Sequence, residues 1–334
     1  MEMILYSSWI MIWTKLRYMS YPEGTPTYVP KQKFIKYVDC YTEHFVIKPR
    51  YCTCVESVAY DGQTNRWMVI ACDMVVGTET LYTVKFLVVA TGENAVESIP
   101  AIPGFHSFHG EAIHSSAYKS RSSYAGQRVL VVGSGNSRME IAYDLASHDA
   151  DTSIVVRSSV HIMTKELIRL GMILVKYIPV TVVDSLIVNS ANFVFGDLSG
   201  HGIVRPKLGP LLLKSKTGRS CVIDVGTVRL IKNGVIKVFG GISKIVGNKV
   251  SSFDAIVFAT GYRSTANLWV KCMLNSDGFP KNGGPNHWKG DSGVYCAGFA
   301  RRGLAGISMD AMSIANDIIS TEYPFAPLST DHVY

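Results

Sequence analysis

The chain has 334 residues, of which 47% are hydrophobic and 18% charged, and its formal net charge is +7. It is long and apolar enough for two domains, or one large one, with a sizeable core. Its basic residues are scattered, which argues against a nucleic-acid-binding patch. None of the seven cysteines stands in a Cys-x-x-Cys pair, and Gly-x-Ser-x-Gly is absent, so neither a redox dithiol, a metal site nor an α/β-hydrolase nucleophile is indicated.

The first 20 residues are apolar and aromatic. The run ahead of Lys15 is too short to span a bilayer, and it lacks the basic start and the small-residue cleavage site of a signal peptide. Residues 31–45 then predict a short helix. Residues 51–60 and 66–71 flank a polar, Gly-containing turn and predict a β-hairpin.

Two predicted strands end in the same tripeptide, Ala-Thr-Gly, at 90–92 and at 259–261. The first strand covers residues 80–89, and the second includes 256–258. A glycine at the end of a buried strand lets the backbone approach a ligand closely. The candidate cofactor contacts at these two exits are Thr91, Gly92, Thr260 and Gly261.

Residues 127–158 hold the pattern around which the rest of the chain is organised. A continuous apolar run at 129–132 is typical of a strand buried on both faces. A Gly-rich turn, a stretch with helical spacing and a second apolar run at 153–156 follow. Strand, turn, helix and strand in this order predict half of a dinucleotide-binding fold, in which phosphates lie on a helix N-terminus. The candidate residues of the turn are Gly133, for a tight turn, Ser134, Gly135, for backbone approach to a pyrophosphate, Asn136 and Ser137.

The residue at the end of the second strand indicates which dinucleotide binds. An acidic residue there would bind the ribose 2′-hydroxyl of NAD, whereas this chain has Arg157, followed by Ser158 and Ser159. A guanidinium suits the 2′-phosphate of NADP. The alternative is an ordinary surface arginine after a glycine-containing loop.

Arg138 departs from the dinucleotide fingerprint, whose third glycine falls at this position. That glycine serves close packing of helix on strand. The arginine is therefore expected to push the helix outward or to turn toward solvent or the phosphates. We expect it to weaken NADPH binding, and a phosphate contact from Arg138 is the alternative.

After Arg157 the sequence predicts two apolar helices, near 165–177 and 183–195, with a place in the core as the default and the wall of a substrate pocket as the alternative. Residues 228–232 and 235–239 then predict two strands joined by an Asn-Gly turn. A second hairpin is predicted to turn at Gly247-Asn248.

The C-terminal part repeats the pattern of strand, Gly-containing turn and helix. The strand covers 293–298, and the turn runs to Gly306. The apolar residues at helical spacing that follow are Ile307, Ala311, Ile314, Ala315 and Ile318. Earlier in the chain, His114 of the segment 108–118 is interpreted as structural rather than catalytic.

Together these motifs resemble the flavin-containing monooxygenases, most closely the plant YUCCA type. Phe-x-Gly-x-x-x-His-x-x-x-Tyr at 108–118 matches the family fingerprint, and Gly-Ser-Gly-Asn-Ser at 133–137 is similar to its NADPH site. Residues 90–95 and 259–264 are similar to its two interdomain crossings. The resemblance runs from about residue 21 to 319 and so covers most of the chain.

The resemblance implies an α/β fold with two dinucleotide-binding, Rossmann-like, three-layer domains. Residues 1–119 and 265–334 would form the FAD-side domain, and residues 120–264 an inserted NADP-binding domain. NADPH would reduce FAD, and the reduced flavin would use O2 to convert indole-3-pyruvate, or a similar apolar α-keto acid, to indole-3-acetate (auxin) with loss of CO2. The resemblance adds three candidate site residues, Asn94 near the nicotinamide–flavin junction and Gly298 and Gly303 in a segment that closes over the flavin.

The family begins with a strand and a Gly-x-Gly-x-x-Gly turn for FAD, which residues 1–23 do not contain. The FAD-side domain is therefore expected to be incomplete and to hold FAD weakly. The alternative to an active monooxygenase is an inactive, truncated relative that at most binds NADP(H) or a protein partner. The expected location is the cytoplasm, with association with the endoplasmic reticulum as the alternative.

Overall fold

The computed structural model describes residues 9–10, 15–119, 121–241, 252–283, 286–301 and 303–323. The helices are α1 (Lys31–His44), α2 (Asn136–Ala146), α3 (Lys165–Leu174), α4 (Val180–Phe195), α5 (Pro210–Thr217), α6 (Thr227–Lys232) and α7 (Gly303–Glu322). The strands are β1 (Trp9–Ile10), β2 (Tyr28–Val29), β3 (Thr53–Asp61), β4 (Arg66–Asp73), β5 (Glu79–Val84), β6 (Leu87–Val89), β7 (Val96–Glu97), β8 (Glu111–His114), β9 (Arg128–Gly133), β10 (Asp151–Val155), β11 (Ile162–Met163), β12 (Val222–Ile223), β13 (Lys237–Phe239), β14 (Ala255–Ala259), β15 (Tyr262–Arg263) and β16 (Val294–Cys296).

Contacts divide the described chain into two compact units. We call residues 97–261 the central unit, and the described residues before 97 and after 261 the terminal unit. These bounds differ from the predicted insertion at 120–264 because β8 pairs with β14, a strand of the central unit.

The central unit is built on a five-stranded sheet in the order β13-β10-β9-β14-β8. Every pairing in this sheet is parallel. The chain goes from β9 to β10 and β13 on one side, and then returns to β14 on the other side of β9. This reversal is the switch point at which α/β sheets of this kind bind ligands, beyond the carboxyl ends of the strands. The predicted Rossmann-like unit at 127–158 is confirmed.

Both faces of this sheet are buried, as the continuous apolar runs predict. Alternate residues of β9 point to opposite faces. Val129 and Val131 pack with Met139 and Leu145 of α2 in one cluster. On the other face Leu130 and Val132 pack in a second cluster, whose partly buried neighbours are Ile102, Phe105, Phe108 and Phe253.

The predicted hairpin at residues 228–239 is wrong. Residues 227–232 form the short helix α6, and only residues 237–239 form a strand, which pairs parallel with β10. Val228 and Ile231 are both buried, at the i, i+3 spacing of a helix. The Asp224 carboxylate accepts a hydrogen bond from the Val228 N–H and so holds the start of α6. The second predicted hairpin, at Gly247-Asn248, lies outside the described residues.

The two apolar helices predicted after Arg157 are confirmed as α3 and α4. The sequence analysis did not predict α5 (Pro210–Thr217). Its N-terminus is held by the buried Asp184 of α4, whose carboxylate accepts from Leu211 N at 2.8 Å and Leu212 N at 3.0 Å. A carboxylate at a helix N-terminus is favoured by the helix dipole.

The terminal unit contains an antiparallel sheet, β3-β4-β5, and a parallel pair, β6-β16. The hairpin β3-β4 and the helix α1 are as predicted. The single strand predicted at 80–89 is instead two strands in these two sheets, β5 and β6. Residues of β4, β6 and β16 share one core cluster, which includes Trp67, Val89 and Cys296.

Helix α7 begins at Gly303, before the predicted turn ends. Its predicted apolar face is only partly correct, because Ile314 is buried whereas Ile307 is 39% exposed. The buried side of α7 instead includes Asp310, a polar residue. No helix of the described residues is both long and apolar enough to cross a membrane.

Candidate functional site

A cavity of about 350 Å³ lies at the carboxyl ends of β9, β10 and β14, the switch point of the central sheet. It lies where the fold predicts a dinucleotide. Its lining residues are Ser98, Pro100, Ala101, Ile102, Pro103, Val132, Gly133, Ser134, Val155, Arg157, Ser158 and Thr260. Five of them belong to the segment 98–103, which the sequence analysis did not single out because it carries no phosphate-binding motif.

The two glycines of the turn have different physical roles. A Cβ on Gly133 would lie 2.2 Å from the carbonyl oxygen of Ala259, so glycine is needed there because β9 and β14 approach closely. This packing requirement adds to the predicted reason, a tight turn, which stays a prediction. A Cβ on Gly135 would meet no atom within 4 Å, so this backbone faces open space. That is the arrangement predicted for backbone approach to a pyrophosphate.

Helix α2 begins directly after Gly135, which is its N-cap and has no side-chain capping bond. The first N–H groups of a helix have no partner within the helix and favour anions. The Asn136 side chain anchors the start of this helix. Its Oδ1 accepts from Ile223 N at 2.9 Å and ties the start of α2 to β12.

Arg157 follows β10 and is exposed at the cavity, with Ser158 beside it. Among the described residues that line the cavity, none is acidic. One cation without a competing carboxylate suits a phosphate better than a ribose hydroxyl. Arg157 and Ser158 thus lie side by side at the cavity, and the phosphate contact predicted for them stays a prediction.

Arg138 does not take any of the positions predicted for its side chain. It is fully buried, with a relative exposure of 0%, on the face of α2 that packs on the sheet. Its Nη1 donates to the carbonyl oxygens of Gly133, at 2.8 Å, and Val155, at 3.4 Å. Burial lowers the pKa of this guanidinium to about 10. The expected turn toward solvent is wrong because the side chain reaches under the helix to the ends of β9 and β10.

A second cavity, of about 150 Å³, lies on the other side of the Gly-rich turn, between Gly135 and β11-β12. His161 lines it and is 2% exposed. Its Nε2 lies 2.7 Å from the Leu208 carbonyl oxygen and therefore carries the proton that is donated. Arg219 also lines this cavity, and its Nη2 donates to Ser159 O at 3.0 Å.

Sequence reasoning missed His161 and Arg219. Arg219 comes 60 residues after Ser159. The parallel pairing of β11 with β12 brings these segments together, and no local sequence pattern predicts such a pairing. Cys221, in the same cavity, is a free thiol whose pKa burial raises to about 11.

Residues of the segment 108–118 pack against the central sheet and hydrogen-bond to elements that form the site. Phe108 packs on the sheet face opposite α2. His114 is buried, and its Nε2 lies 3.0 Å from the carbonyl oxygen of Gly261, at the exit of β14. The Tyr118 hydroxyl donates to Asp144 of α2 at 2.9 Å. These contacts fit the structural role that the sequence analysis favours for this histidine.

Five further candidate residues belong to the terminal unit. Gly92 and Gly303 have φ of 70° and 63° and open space where a Cβ would lie. Gly298 has φ of 87°, and its N–H donates to the buried Asp310 at 3.0 Å. Thr91 and Asn94 are exposed in the segment that follows β6.

Comparison with known families gives one consistent result. The model of a family described as flavin-binding monooxygenase-like matches residues 5–272. The probable indole-3-pyruvate monooxygenase YUCCA10 of Arabidopsis thaliana is 46% identical, over 92% of this chain and 83% of its own length. The indole-3-pyruvate monooxygenase YUCCA1 of Oryza sativa subsp. japonica is 40% identical, over 91% of this chain and 77% of its own length.

Solved structures with the same fold include several monooxygenases. A flavin-containing monooxygenase from Stenotrophomonas maltophilia superposes with a TM-score of 0.65 at 16% identity, over 96% of this chain and 85% of that one. An oxidised steroid monooxygenase bound to NADP superposes with a TM-score of 0.63 at 15% identity, over 91% and 73%. At this identity the likeness concerns the fold.

Proposed function

Because the chain belongs to the flavin-binding monooxygenase-like family, we propose that it converts indole-3-pyruvate to indole-3-acetate with NADPH and O2. The observation that carries this proposal is the 46% identity to a probable indole-3-pyruvate monooxygenase over 92% of the chain. The broader class, a monooxygenase that uses FAD and NADP(H), follows from the family itself. The proposed location is the cytoplasm.

The proposed reaction balances with one NADPH, one O2 and one proton for each indole-3-pyruvate. One oxygen atom enters the new carboxylate, the other leaves as water, and the former carboxyl group leaves as CO2. Bound FAD supplies the hydride acceptor and the group that reacts with O2. The protein's own task is to hold the two cofactors and the substrate and to exclude water.

Several features of the central unit support the proposed binding of NADP(H). The uncapped N-terminus of α2 and the open space at Gly135 suit the pyrophosphate, with the N–H groups near Ser137 as donors. Arg157 and Ser158 suit the 2′-phosphate. Thr260 and Gly261, at the exit of β14, would lie toward the nicotinamide.

The terminal unit offers backbone to the flavin at two turns. Gly92, after Thr91, has an open position where a side chain would otherwise lie. Gly298 is held by the Asp310 carboxylate, and Gly303 starts α7. Asn94, exposed in the segment after β6, is proposed to act at the nicotinamide–flavin junction.

The activity is tested directly on the purified full chain. A flavin absorbance spectrum, NADPH consumption that depends on indole-3-pyruvate, and release of indole-3-acetate are the expected results. NADP+ binding without any product would contradict the proposed activity and favour the inactive relative.

Cofactor choice is tested by calorimetric titration with NADP+ and NAD+. Wild type is expected to prefer NADP+, and Arg157→Ala to bind it about ten- to a hundredfold more weakly, because a charge-assisted contact contributes about 1.5–3 kcal/mol. The affinity for NAD+ should change little. Equal affinity of wild type for both dinucleotides would reject the role of Arg157.

A further inference from the structure

Arg138 is a charged side chain in an unusual place, the interface between a helix and the sheet beneath it. It is the third residue of α2 and has no exposed surface. Its Nη1 donates to the carbonyl oxygens of Gly133 and Val155. Both of these residues line the cavity at the switch point of the sheet. The guanidinium therefore lies behind the wall of the proposed NADP(H) groove, where it joins the carboxyl ends of β9 and β10.

The charge of Arg138 has no counter-ion among the described residues. Its Nε and Nη2 atoms are buried there without a hydrogen-bond partner. The pKa of about 10, lowered by burial, still leaves the group protonated at neutral pH. A buried cation without a counter-ion opposes folding, even where it donates to carbonyl oxygens. Stability of the empty protein therefore does not explain this arginine.

An anion in the groove would change this balance. The described residues that line the cavity include no carboxylate, and the uncapped N-terminus of α2 faces the same turn. Electrostatic attraction is strong at short range where little water intervenes. The phosphates of a dinucleotide bring negative charge to the side of the turn opposite the guanidinium.

We propose that Arg138 supplies a buried positive charge behind the NADP(H) groove. It is a positioning residue that contacts no ligand atom directly, and the phosphates compensate its charge when they bind. This inference rests on the proposed function, since it concerns the same groove. It reverses the expectation that an arginine in place of the third glycine weakens the site. Two consequences follow. Binding should strengthen with the negative charge of the ligand, and the empty protein should become more stable when this charge is removed.

The test compares Arg138→Met, which keeps the length and loses the charge, with Arg138→Lys, which keeps the charge. Arg229→Met is the matched control, because it removes an exposed arginine from α6 in the same unit. Affinities for NADP+ and NAD+ are measured at low and at moderate salt. Melting temperatures are measured without ligand and with inorganic pyrophosphate.

We expect Arg138→Met to bind NADP+ about tenfold more weakly and NAD+ at most about threefold more weakly, because NADP+ carries the additional phosphate. Its melting temperature without ligand should be equal to or above that of wild type, and pyrophosphate should raise it less. Arg138→Lys should keep most of the NADP+ affinity. Arg229→Met should change each affinity by less than about twofold.

Two results would overturn the inference. One is Arg138→Met binding NADP+ as tightly as wild type, or more tightly. The other is an equal loss of affinity for both dinucleotides together with a lower melting temperature without ligand. That combination is expected if Arg138 only stabilises the fold. Pyrophosphate separates this inference from the proposed function. Suppose that wild type does not bind NADP+, but that pyrophosphate raises the melting temperature of wild type more than that of Arg138→Met. This result would reject the proposed function and still support the role of Arg138 as a buried counter-charge.

Discussion

Each of the two units contains a parallel strand that ends in Ala-Thr-Gly, and the surroundings of the two strands differ. The glycines take similar left-handed conformations, with φ of 70° at Gly92 and 80° at Gly261. In the central unit the strand, β14, is buried between β9 and β8. In the terminal unit β6 pairs with β16, and its Val88 is 42% exposed. The tripeptide thus determines the turn, whereas neighbouring strands decide whether that turn closes a cavity.

The two units have separate buried hydrophobic clusters, so a core mutation in one unit should change the stability of that unit more than that of the other. The clusters of the central unit pack on both faces of its sheet. The terminal unit has a cluster around β4, β6 and β16. A spectroscopic difference separates the two, because all five tryptophans lie outside residues 97–261. Trp67, Trp269 and Trp288 lie in the terminal unit, so tryptophan fluorescence reports on that unit, whereas hydrogen exchange of central-unit peptides reports on the central unit.

The largest expected effect is that of Gly133→Ala. Its Cβ would collide with the Ala259 carbonyl and force β9 and β14 apart, which should cost about 4 kcal/mol or more of the free energy of unfolding. Hydrogen exchange should become faster throughout the central sheet. Gly135→Ala is the control, because its Cβ meets open space, so it should cost less than about 1 kcal/mol and weaken NADP+ binding instead. Equal stability of the two variants would contradict the packing role of Gly133.

The next effect compares two buried aspartates, one in each unit. Asp310 accepts from Gly298 N and pairs with His287 Nε2 at 3.0 Å, whereas Asp184 accepts from two N–H groups of α5. Replacing either by alanine leaves buried donors unpaired and should cost about 2–3 kcal/mol. Asp310→Ala should lower the urea midpoint seen by tryptophan fluorescence, and Asp184→Ala the midpoint seen by hydrogen exchange of α5. A common shift in both readouts would mean that the units unfold together.

A smaller effect is expected from Gly92→Ala and Gly261→Ala. Both positions are sterically open, so the cost should come only from the left-handed backbone, about 1 kcal/mol in each case. Chemical denaturation, read by fluorescence for Gly92 and by hydrogen exchange for Gly261, measures it. A cost above about 2 kcal/mol at only one site would show that its surroundings, and not the tripeptide, hold the turn.

The smallest expected effect depends on pH and concerns His161 in the central unit. Burial lowers the pKa of His161 below its ordinary value of 6.5, and the hydrogen bond to the Leu208 carbonyl opposes this only in part. Between the folded pKa and 6.5 the unfolded chain binds a proton that the folded chain does not. Stability therefore falls as the pH falls through this window.

His161→Gln tests this pH dependence. A glutamine keeps a donor for Leu208 and does not titrate, so the stability of this variant should depend less on pH below 6.5. The comparison is made by denaturation at several pH values, with hydrogen exchange of the central unit as the readout. Identical pH profiles for the variant and wild type would reject the contribution of His161.

The sequence by itself determined the local features of this protein. The apolar run at 129–132, the Gly-rich turn and the helical spacing after it identify the dinucleotide-binding unit, because these patterns act over a few neighbouring residues. The position of Arg157 at the end of β10 follows from the same local order. The hairpin β3-β4 and the helices α1, α3 and α4 could be predicted for the same reason.

Only the tertiary structure decided the features that depend on residues distant in sequence. Residues 227–232 become a helix because their buried side chains pack at helical spacing, despite β-forming residues. The direction of the Arg138 side chain depends on carbonyl oxygens of two different strands. His161 and Arg219 line one cavity because β11 pairs with β12. Gly133 is needed because of Ala259, more than 100 residues later. Packing and strand pairing across such separations leave no local sequence pattern, so these features could not be predicted from the sequence.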